Sequence, residues 1–198
     1  MKSILAATAL VGALATAAVA EEGAYFGLGL AAVKSSSNAA PIRPGYDASA
    51  NDFGLALTAG FRFASAGTLT YGVEGNLDLM TGNRMKDDGR DSCTGYSPTW
   101  CEIDAAFRLR GTLSTDLANG NRLTASLGAV IVRGLLESGP GNYVSAMGRG
   151  ISVGVAWESM GSGMPLRVDL NYDAVSRDNV TAYERSLDMI GLRVSYMF

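Results

Sequence analysis

The stretch that decides the fold is residues 190–198, IGLRVSYMF, at the carboxyl end of the sequence. Its apolar side chains occupy every second position, namely Ile190, Leu192, Val194, Tyr196 and Phe198. Strict alternation predicts a β-strand that lies between two different environments. Because terminal residues are usually poorly ordered unless something ties them down, so regular a final strand indicates that this end of the chain has a structural role.

The same alternation returns along the rest of the chain. Seven further segments carry it: 24–33, 53–63, 68–80, 102–113, 122–132, 150–158 and 166–173. Each is close to the roughly 9–11 residues that a tilted strand needs to cross a bilayer. Eight such strands predict an all-β fold, an eight-stranded antiparallel up-and-down transmembrane β-barrel.

The connections between these strands alternate strictly in length. The long ones are 34–52, 81–101, 133–149 and 174–187, and the short ones are 64–67, 116–121 and 160–165. If every strand crosses a membrane, all long loops lie on one side and all short turns on the other. Long outer loops and short periplasmic turns are typical of bacterial outer-membrane barrels.

Alternation alone does not say which face points inward. In a soluble barrel the apolar face forms the core, whereas in a membrane barrel it contacts lipid. Loop asymmetry, the even strand number and the aromatic residues favour the membrane. The aromatic residues fall near the short-turn end, as in an interfacial girdle: Tyr25, Phe26, Phe61, Phe63, Tyr71, Trp157, Tyr196 and Phe198.

The polar face of the strands carries charges of both signs. The predicted interior charges are Arg62, Glu74, Asp78, Asp104, Arg108, Arg110, Glu158, Arg167, Asp169 and Arg193. Buried charges must be paired. In a simple hairpin register the expected pairs are Glu74 with Arg108, Asp169 with Arg193, and Glu158 with Arg167. We therefore expect a lumen plugged by salt bridges, and the alternative is a narrow hydrated channel lined by the same residues.

The amino end predicts export. Residues 1–20 combine an early Lys2 with an Ala-rich apolar run that ends in Ala-Val-Ala, the layout of a secretory signal peptide cleaved after Ala20. A membrane-anchoring helix is the alternative. On this interpretation the barrel comprises residues 21–198 and is located in the bacterial outer membrane.

The two cysteines of the sequence, Cys93 and Cys101, lie close together in a polar stretch. In an oxidising compartment they predict a local disulfide that closes a small loop. A metal site built on them is the alternative, but the sequence contains no histidine or further cysteine to complete it. We expect neither a metal nor a cofactor.

Three short stretches, YFGLGL (25–30), YGVEGNLDL (71–79) and LRVSYMF (192–198), resemble the small outer-membrane β-barrel family. This family includes the transmembrane domain of outer membrane protein A and the opacity-type proteins. The resemblance implies that Phe198, with Tyr196 two residues before it, is a signal read by the barrel-assembly machinery. It also implies that the last strand closes the barrel against the first.

These features favour a structural, surface-presenting role. The lack of histidine argues against an enzyme, and a net charge of −3 argues against nucleic acid as a partner. The expected partners are outer-membrane lipid and lipopolysaccharide, and the assembly machinery and periplasmic chaperones during biogenesis. We expect a monomer whose four extracellular loops serve adhesion or surface contacts. The loop aromatics that would make such contacts, or pack within their own loops, are Tyr96, Trp100, Tyr143 and Tyr183.

Two other functions remain open at this point. A narrow porin-like channel for small-solute diffusion would use the interior charges as its lining. A soluble periplasmic barrel that holds a ligand would reverse the two faces of every strand.

Overall fold

A computed structural model describes residues 23–38, 47–63, 68–91, 93, 99–117, 120–139, 141–159, 165–176 and 186–198. The predicted signal peptide lies outside the described residues, as do Tyr96 and Tyr183. Within the described part of the chain, no helix is long and apolar enough to cross a membrane.

Eight long strands make up the fold, and each pairs antiparallel with its neighbours. They are β1 (Gly23–Asn38), β2 (Asp47–Arg62), β3 (Leu69–Met80), β6 (Thr99–Asp116), β7 (Asn121–Gly139), β8 (Asn142–Ser159), β9 (Leu166–Ser176) and β10 (Ser186–Met197). Two short strands, β4 (Lys86–Asp87) and β5 (Arg90–Asp91), form a small hairpin beside β2. Strand β1 pairs with both β2 and β10, so the eight long strands form a closed ring. The predicted up-and-down barrel is confirmed.

The orientation of the side chains is the reverse of that in a soluble barrel. Leu30 and Leu127 point outward and are 67% and 61% exposed, whereas the guanidinium groups of Arg108 and Arg193 lie inside with no exposed surface. Apolar side chains cover the outer surface in a belt on all eight strands. A surface of this kind is stable in a bilayer, because lipid chains shield apolar groups that would otherwise contact water.

Aromatic side chains line the short-turn edge of this apolar belt. Phe61 stacks obliquely on Phe63 with ring centroids 5.4 Å apart, and Tyr196 meets Phe198 edge-on at 4.8 Å. Tyr25 was expected in this girdle, but the structure places it inside the barrel, 5% exposed. Tyr25 occupies a position on the inward-facing side of β1, and its hydroxyl donates a hydrogen bond to Glu74 there.

The strands continue well beyond the apolar belt, into segments predicted as long loops. Strand β1 runs to Asn38, and the β7–β8 ladder continues to the Gly139–Asn142 pair. The expected loop 133–149 is therefore largely a β-hairpin. Gly141 has φ +72° at its tip, a left-handed conformation that glycine adopts without strain.

Strand β6 contains two irregularities near its long-loop end, between Trp100 and Glu102 and between Ile103 and Ala105. Each inserts an extra residue, which reverses the phase of alternation. As a result Ile103, expected on the lipid face with Phe107, is buried in the interior. Gly134 lies opposite, where an added Cβ would be 2.1 Å from the carbonyl oxygen of Glu102.

Candidate functional site

The interior of the barrel is the first candidate site, and an arginine lies at its centre. Arg108 on β6 donates from Nε to Asp173 Oδ1 at 3.0 Å and from Nη2 to Asp173 Oδ2 at 2.6 Å. Its remaining terminal nitrogen binds Asp78 on β3. Asp78 also forms an ion pair with Arg193, whose Nε lies 3.0 Å from Asp78 Oδ1. Two arginines and two aspartates from four strands thus neutralise one another.

A second cluster lies closer to the short turns and is centred on Glu74. One carboxylate oxygen of Glu74 is 3.0 Å from Arg110 Nη2, and the other is 2.6 Å from Arg167 Nη1. The hydroxyl of Tyr25 donates to the same carboxylate at 2.8 Å. Asp169 accepts a hydrogen bond from Arg167 at 2.9 Å, which completes the charge balance.

Two further pairs lie at the short-turn end of the lumen. Arg62 on β2 binds Glu158 on β8 at 2.7 Å, and its guanidinium also lies 4.3 Å from the centre of the Tyr25 ring. Arg122 binds Asp116 at 2.6 Å beside the turn. Asp116 lies outside the apolar belt, and the hydrogen bond that it accepts from Arg122 holds the pKa of its carboxyl below the usual range.

These pairs differ from those expected of a hairpin register. Glu74 binds Arg110 and Arg167 rather than Arg108. Glu158 binds Arg62 rather than Arg167, and the ion pair of Arg193 is with Asp78 rather than Asp169. For Glu74 the predicted register was wrong, because Glu74 lies directly opposite Arg110 in the β3–β6 ladder. The other two predictions were wrong because they considered only adjacent strands, whereas in a narrow barrel long side chains reach across the lumen.

One predicted interior charge lies elsewhere. Asp104 is the inserted residue of the second β6 irregularity, so its side chain points outward and pairs with Arg133 at 2.9 Å. These side chains are 37% and 57% exposed. The other nine predicted charges are buried inside the barrel. The buried charges that were missed include Arg122 and Asp173, although both continue the polar phase of their strands.

Near the long-loop end, the interior contains an apolar cluster that the sequence did not predict. Trp100, Met85, Leu136, Leu187 and Met189 pack together there, each 0–1% exposed. Trp100 was expected in an exposed loop, but the phase change in β6 directs it into the barrel. The apolar cluster near the long loops and most of the paired charges near the short turns are thus buried from solvent.

The second candidate site is the β7–β8 hairpin above the apolar belt. Tyr143, Val144 and Met147 are exposed on it, by 43%, 39% and 64%. The Arg84 guanidinium lies 4.7 Å from the centre of the Tyr143 ring and links the hairpin to the loop after β3. The ladder between β8 and β9 begins only at the Arg149–Ser176 pair. Among the described residues, the hairpin therefore extends beyond its β9 neighbour.

A disulfide holds the loop that precedes β6. Cys93 and Cys101 are bonded, with their Cα atoms 5.6 Å apart. The backbone N–H of Met85 donates to the Cys101 carbonyl at 2.8 Å, so the start of the same loop is attached to β6 as well. Within the described part of the chain, no three His, Cys, Asp or Glu residues are grouped to hold a metal.

The predicted assembly signal lies at the seam where the barrel closes. Phe198 and Phe26 exchange backbone hydrogen bonds, from Phe198 N–H to the Phe26 carbonyl at 2.8 Å and back at 3.3 Å. Tyr196 pairs with Leu28 and points outward, 39% exposed. The final strand thus closes the barrel against the first.

Comparison with solved structures shows the same architecture in bacterial outer-membrane proteins. Ail, the attachment invasion locus protein of Yersinia pestis, is similar at a TM-score of 0.52 and 14% identity, over 89% of this chain and 99% of Ail. Ail in complex with the heparin analogue sucrose octasulfate matches at 0.50 and 16% identity, over 89% and 99%. OprG from Pseudomonas aeruginosa gives 0.46 and 10% identity, over 89% and 96%.

No protein-family model and no curated protein sequence matches the chain. At such low identities, the likeness to Ail establishes the fold and nothing finer. The chain has the fold of the small eight-stranded outer-membrane β-barrels.

Proposed function

We propose that this protein is a non-catalytic, monomeric outer-membrane barrel that holds rigid extracellular elements at the bacterial surface for adhesion. The observation that carries the proposal is the β7–β8 ladder, which runs without a loop from the apolar belt to the Gly139–Asn142 pair. Exposed Tyr143, Val144 and Met147 lie on it. Apolar and aromatic side chains outside the membrane have no lipid to contact, so they are suited to a macromolecular partner.

The backbone of the hairpin suggests how contact occurs. Among the described residues, β8 continues toward the loop beyond its last pair with β9, Arg149–Ser176. In the proposed contact, an extended strand of a partner protein adds to β8 there, with main-chain hydrogen bonds giving affinity and Tyr143 giving specificity. The adhesive role itself is supported by the likeness to Ail, whose name refers to attachment and invasion.

The interior supports a structural role over solute diffusion. Ion pairs from opposite walls fill the periplasmic half, and Trp100 with its apolar neighbours fills the other. A permeating ion would have to break several buried pairs, each of which is costly to separate. These contacts favour the structural role over the channel alternative.

During biogenesis the proposed partners are the periplasmic chaperones and the barrel-assembly machinery, with Tyr196 and Phe198 as the recognised end. In the mature state the proposed partners of the barrel wall are outer-membrane lipid and lipopolysaccharide. Both assignments follow from the expected export of the chain and from the outward apolar belt.

An attachment assay tests the proposal. A non-adherent laboratory bacterium that expresses the protein is applied to cultured epithelial cells, and attached bacteria are counted. We expect expression to raise attachment and the Tyr143→Ala/Met147→Ser variant to return it to the level of the empty vector. Leu127→Ala, on the lipid-facing belt, is the matched control and should keep attachment. Equal attachment by the hairpin variant and the parent, at equal surface amounts, would contradict the proposal.

A further inference from the structure

The outer wall of the barrel contains a groove that the surface-presenting role does not use. It has a volume of about 510 Å³, within the range of ligand-binding pockets. Its floor is the cross-strand pair Ala59 on β2 and Gly75 on β3. Phe26 and Phe198 line one side, and Leu77 and Phe107 line the other. We refer to this feature as the wall groove.

The wall groove exists because its floor residues are small. At Gly75 the surrounding backbone would leave room for a larger side chain. A Cβ added to Gly75 would have its nearest neighbours, the Ala59 carbonyl oxygen and Phe107 Cε2, at 3.8 Å. By contrast, a Cβ at Gly29 or Gly128 would be 2.0 Å from a carbonyl oxygen. Those two glycines are needed for close strand packing. Gly75 instead leaves space at some cost to the strand, since glycine in a strand interior has no side chain to pack.

The position of the wall groove identifies its occupant. The groove lies within the apolar belt, where lipid chains rather than water must fill it. It extends from the short-turn edge, where Phe26 is close to the start of β1 and Phe198 lies at the closing seam, to the middle of the belt at Ala59 and Gly75. In the orientation proposed above, the short-turn edge faces the periplasm. The adjacent leaflet of an outer membrane consists of phospholipid.

We propose that the wall groove binds one acyl chain of a periplasmic-leaflet phospholipid and retains it longer than the surrounding bulk lipid. The aromatic sides provide the contact area, and the Ala59–Gly75 floor lets the chain pack against the backbone of the sheet. The proposal requires the outer-membrane orientation but not the adhesive hairpin. The wall groove and the hairpin are different surfaces of the molecule, so lipid retention can be measured independently of attachment.

Native mass spectrometry of the protein extracted from outer membranes in mild detergent tests this proposal. We expect the parent protein to retain a single phospholipid under conditions that strip detergent. Gly75→Leu should fill the groove and reduce the retained lipid to background. Gly111→Leu is the matched control. Gly111, an exposed glycine on β6, likewise has room for a Cβ, whose nearest neighbour would be the Leu127 carbonyl oxygen at 3.8 Å, but it is not part of the groove.

Four results would overturn the proposal: a parent protein free of lipid, equal retention by all three proteins, retained lipopolysaccharide in place of phospholipid, or a dimer formed through this wall. Heat-modifiable gel mobility confirms that each variant is folded. Membrane fractionation and the attachment assay report separately on the proposed location and function. Failure of the lipid-binding proposal is therefore distinguishable from failure of the proposed function.

Discussion

Arg108 on β6 and Asp173 on β9 form a two-pronged ion pair across the lumen, with Nε–Oδ1 and Nη2–Oδ2 distances of 3.0 and 2.6 Å. Two strands, β7 and β8, separate them along the wall. The pair therefore links parts of the barrel that no backbone ladder joins directly. The planar guanidinium suits this geometry, because it presents parallel donors to a carboxylate.

Removal of Arg108 should destabilise the barrel strongly. Arg108→Ala removes the ion pair of the buried Asp173, which keeps a hydrogen bond from Asn171, and leaves Asp78 with Arg193. Breaking such a buried pair costs about 3–5 kcal/mol. Arg108→Lys keeps the charge but loses the two-pronged contact, so we expect an intermediate loss. Urea unfolding in lipid vesicles measures both.

The exposed Arg133–Asp104 pair provides the control for this experiment. It joins the same two kinds of side chain on the outside of the barrel, where solvent screens the attraction. Arg133→Ala should leave the unfolding midpoint unchanged. Equal effects of Arg108→Ala and Arg133→Ala would contradict the idea that burial makes the lumen pairs important.

Gly134 should tolerate a methyl group far less well than Gly111. An added Cβ at Gly134 would be 2.1 Å from the Glu102 carbonyl oxygen, so Gly134→Ala must displace the β6 irregularity. We expect a loss of about 1–3 kcal/mol, typical of overpacking. Gly111→Ala should be neutral or slightly stabilising, because its Cβ would make only an ordinary contact, 3.8 Å from the Leu127 carbonyl oxygen. A neutral Gly134→Ala would contradict the tight approach of β6 and β7.

The two tryptophans of the chain should report opposite environments. Trp157 points outward and is 41% exposed on the belt, whereas Trp100 is 1% exposed in the interior. In Trp100→Phe protein, brominated lipid should quench the remaining Trp157 emission strongly. In Trp157→Phe protein, the same lipid should leave the Trp100 emission nearly unchanged. Comparable quenching of both would show that the faces of β6 or β8 are wrongly assigned.

Loss of the disulfide should affect the loop and spare the barrel. The bond closes a loop with a sequence separation of 8 next to Arg90 and Lys86, both trypsin sites. The Cys93→Ser/Cys101→Ser variant should therefore be cleaved faster by trypsin, with the same unfolding midpoint as the parent. The eight-strand ladder does not pass through this bond. A large fall in the midpoint would mean that the loop is part of the barrel core.

Alternation along each strand was sufficient to predict the barrel, its strand number and the inward direction of most charges. In β1, for example, the pairing contains no register shift, so alternate residues such as Phe26, Leu28 and Leu30 share one face. The two insertions in β6 are not visible in composition or period, so Ile103 and Asp104 were assigned to the wrong sides. Gly134 was the one local signal, because a glycine opposite an insertion relieves the close approach.

The pairing of the lumen charges depends on geometry that a one-dimensional pattern does not contain. Glu158 and Arg167 are register partners on neighbouring strands, yet Glu158 binds Arg62 on the opposite wall. Which partner is chosen depends on strand tilt, barrel diameter and side-chain length together. Asp173, by contrast, lies two residues beyond Asn171 on the polar phase of β9 and was predictable.

The long loops were over-predicted because polarity was taken to indicate irregular structure. Residues 133–149 contain glycine, serine and charged residues, and yet most of them continue the β7–β8 ladder. Outside the membrane a strand can be polar on its outer face without penalty, since water satisfies those groups. Loss of the apolar phase marks the edge of the bilayer, not the end of the strand.

The conductance of the barrel in a planar lipid bilayer tests the closed lumen most directly. Refolded protein, with folding confirmed by heat-modifiable mobility, should leave the membrane silent, because in the proposed plugged barrel the buried ion pairs and Trp100 obstruct the lumen. Steady, reproducible current steps would contradict the account. The interior arginines and carboxylates would then be the lining of a solute pore.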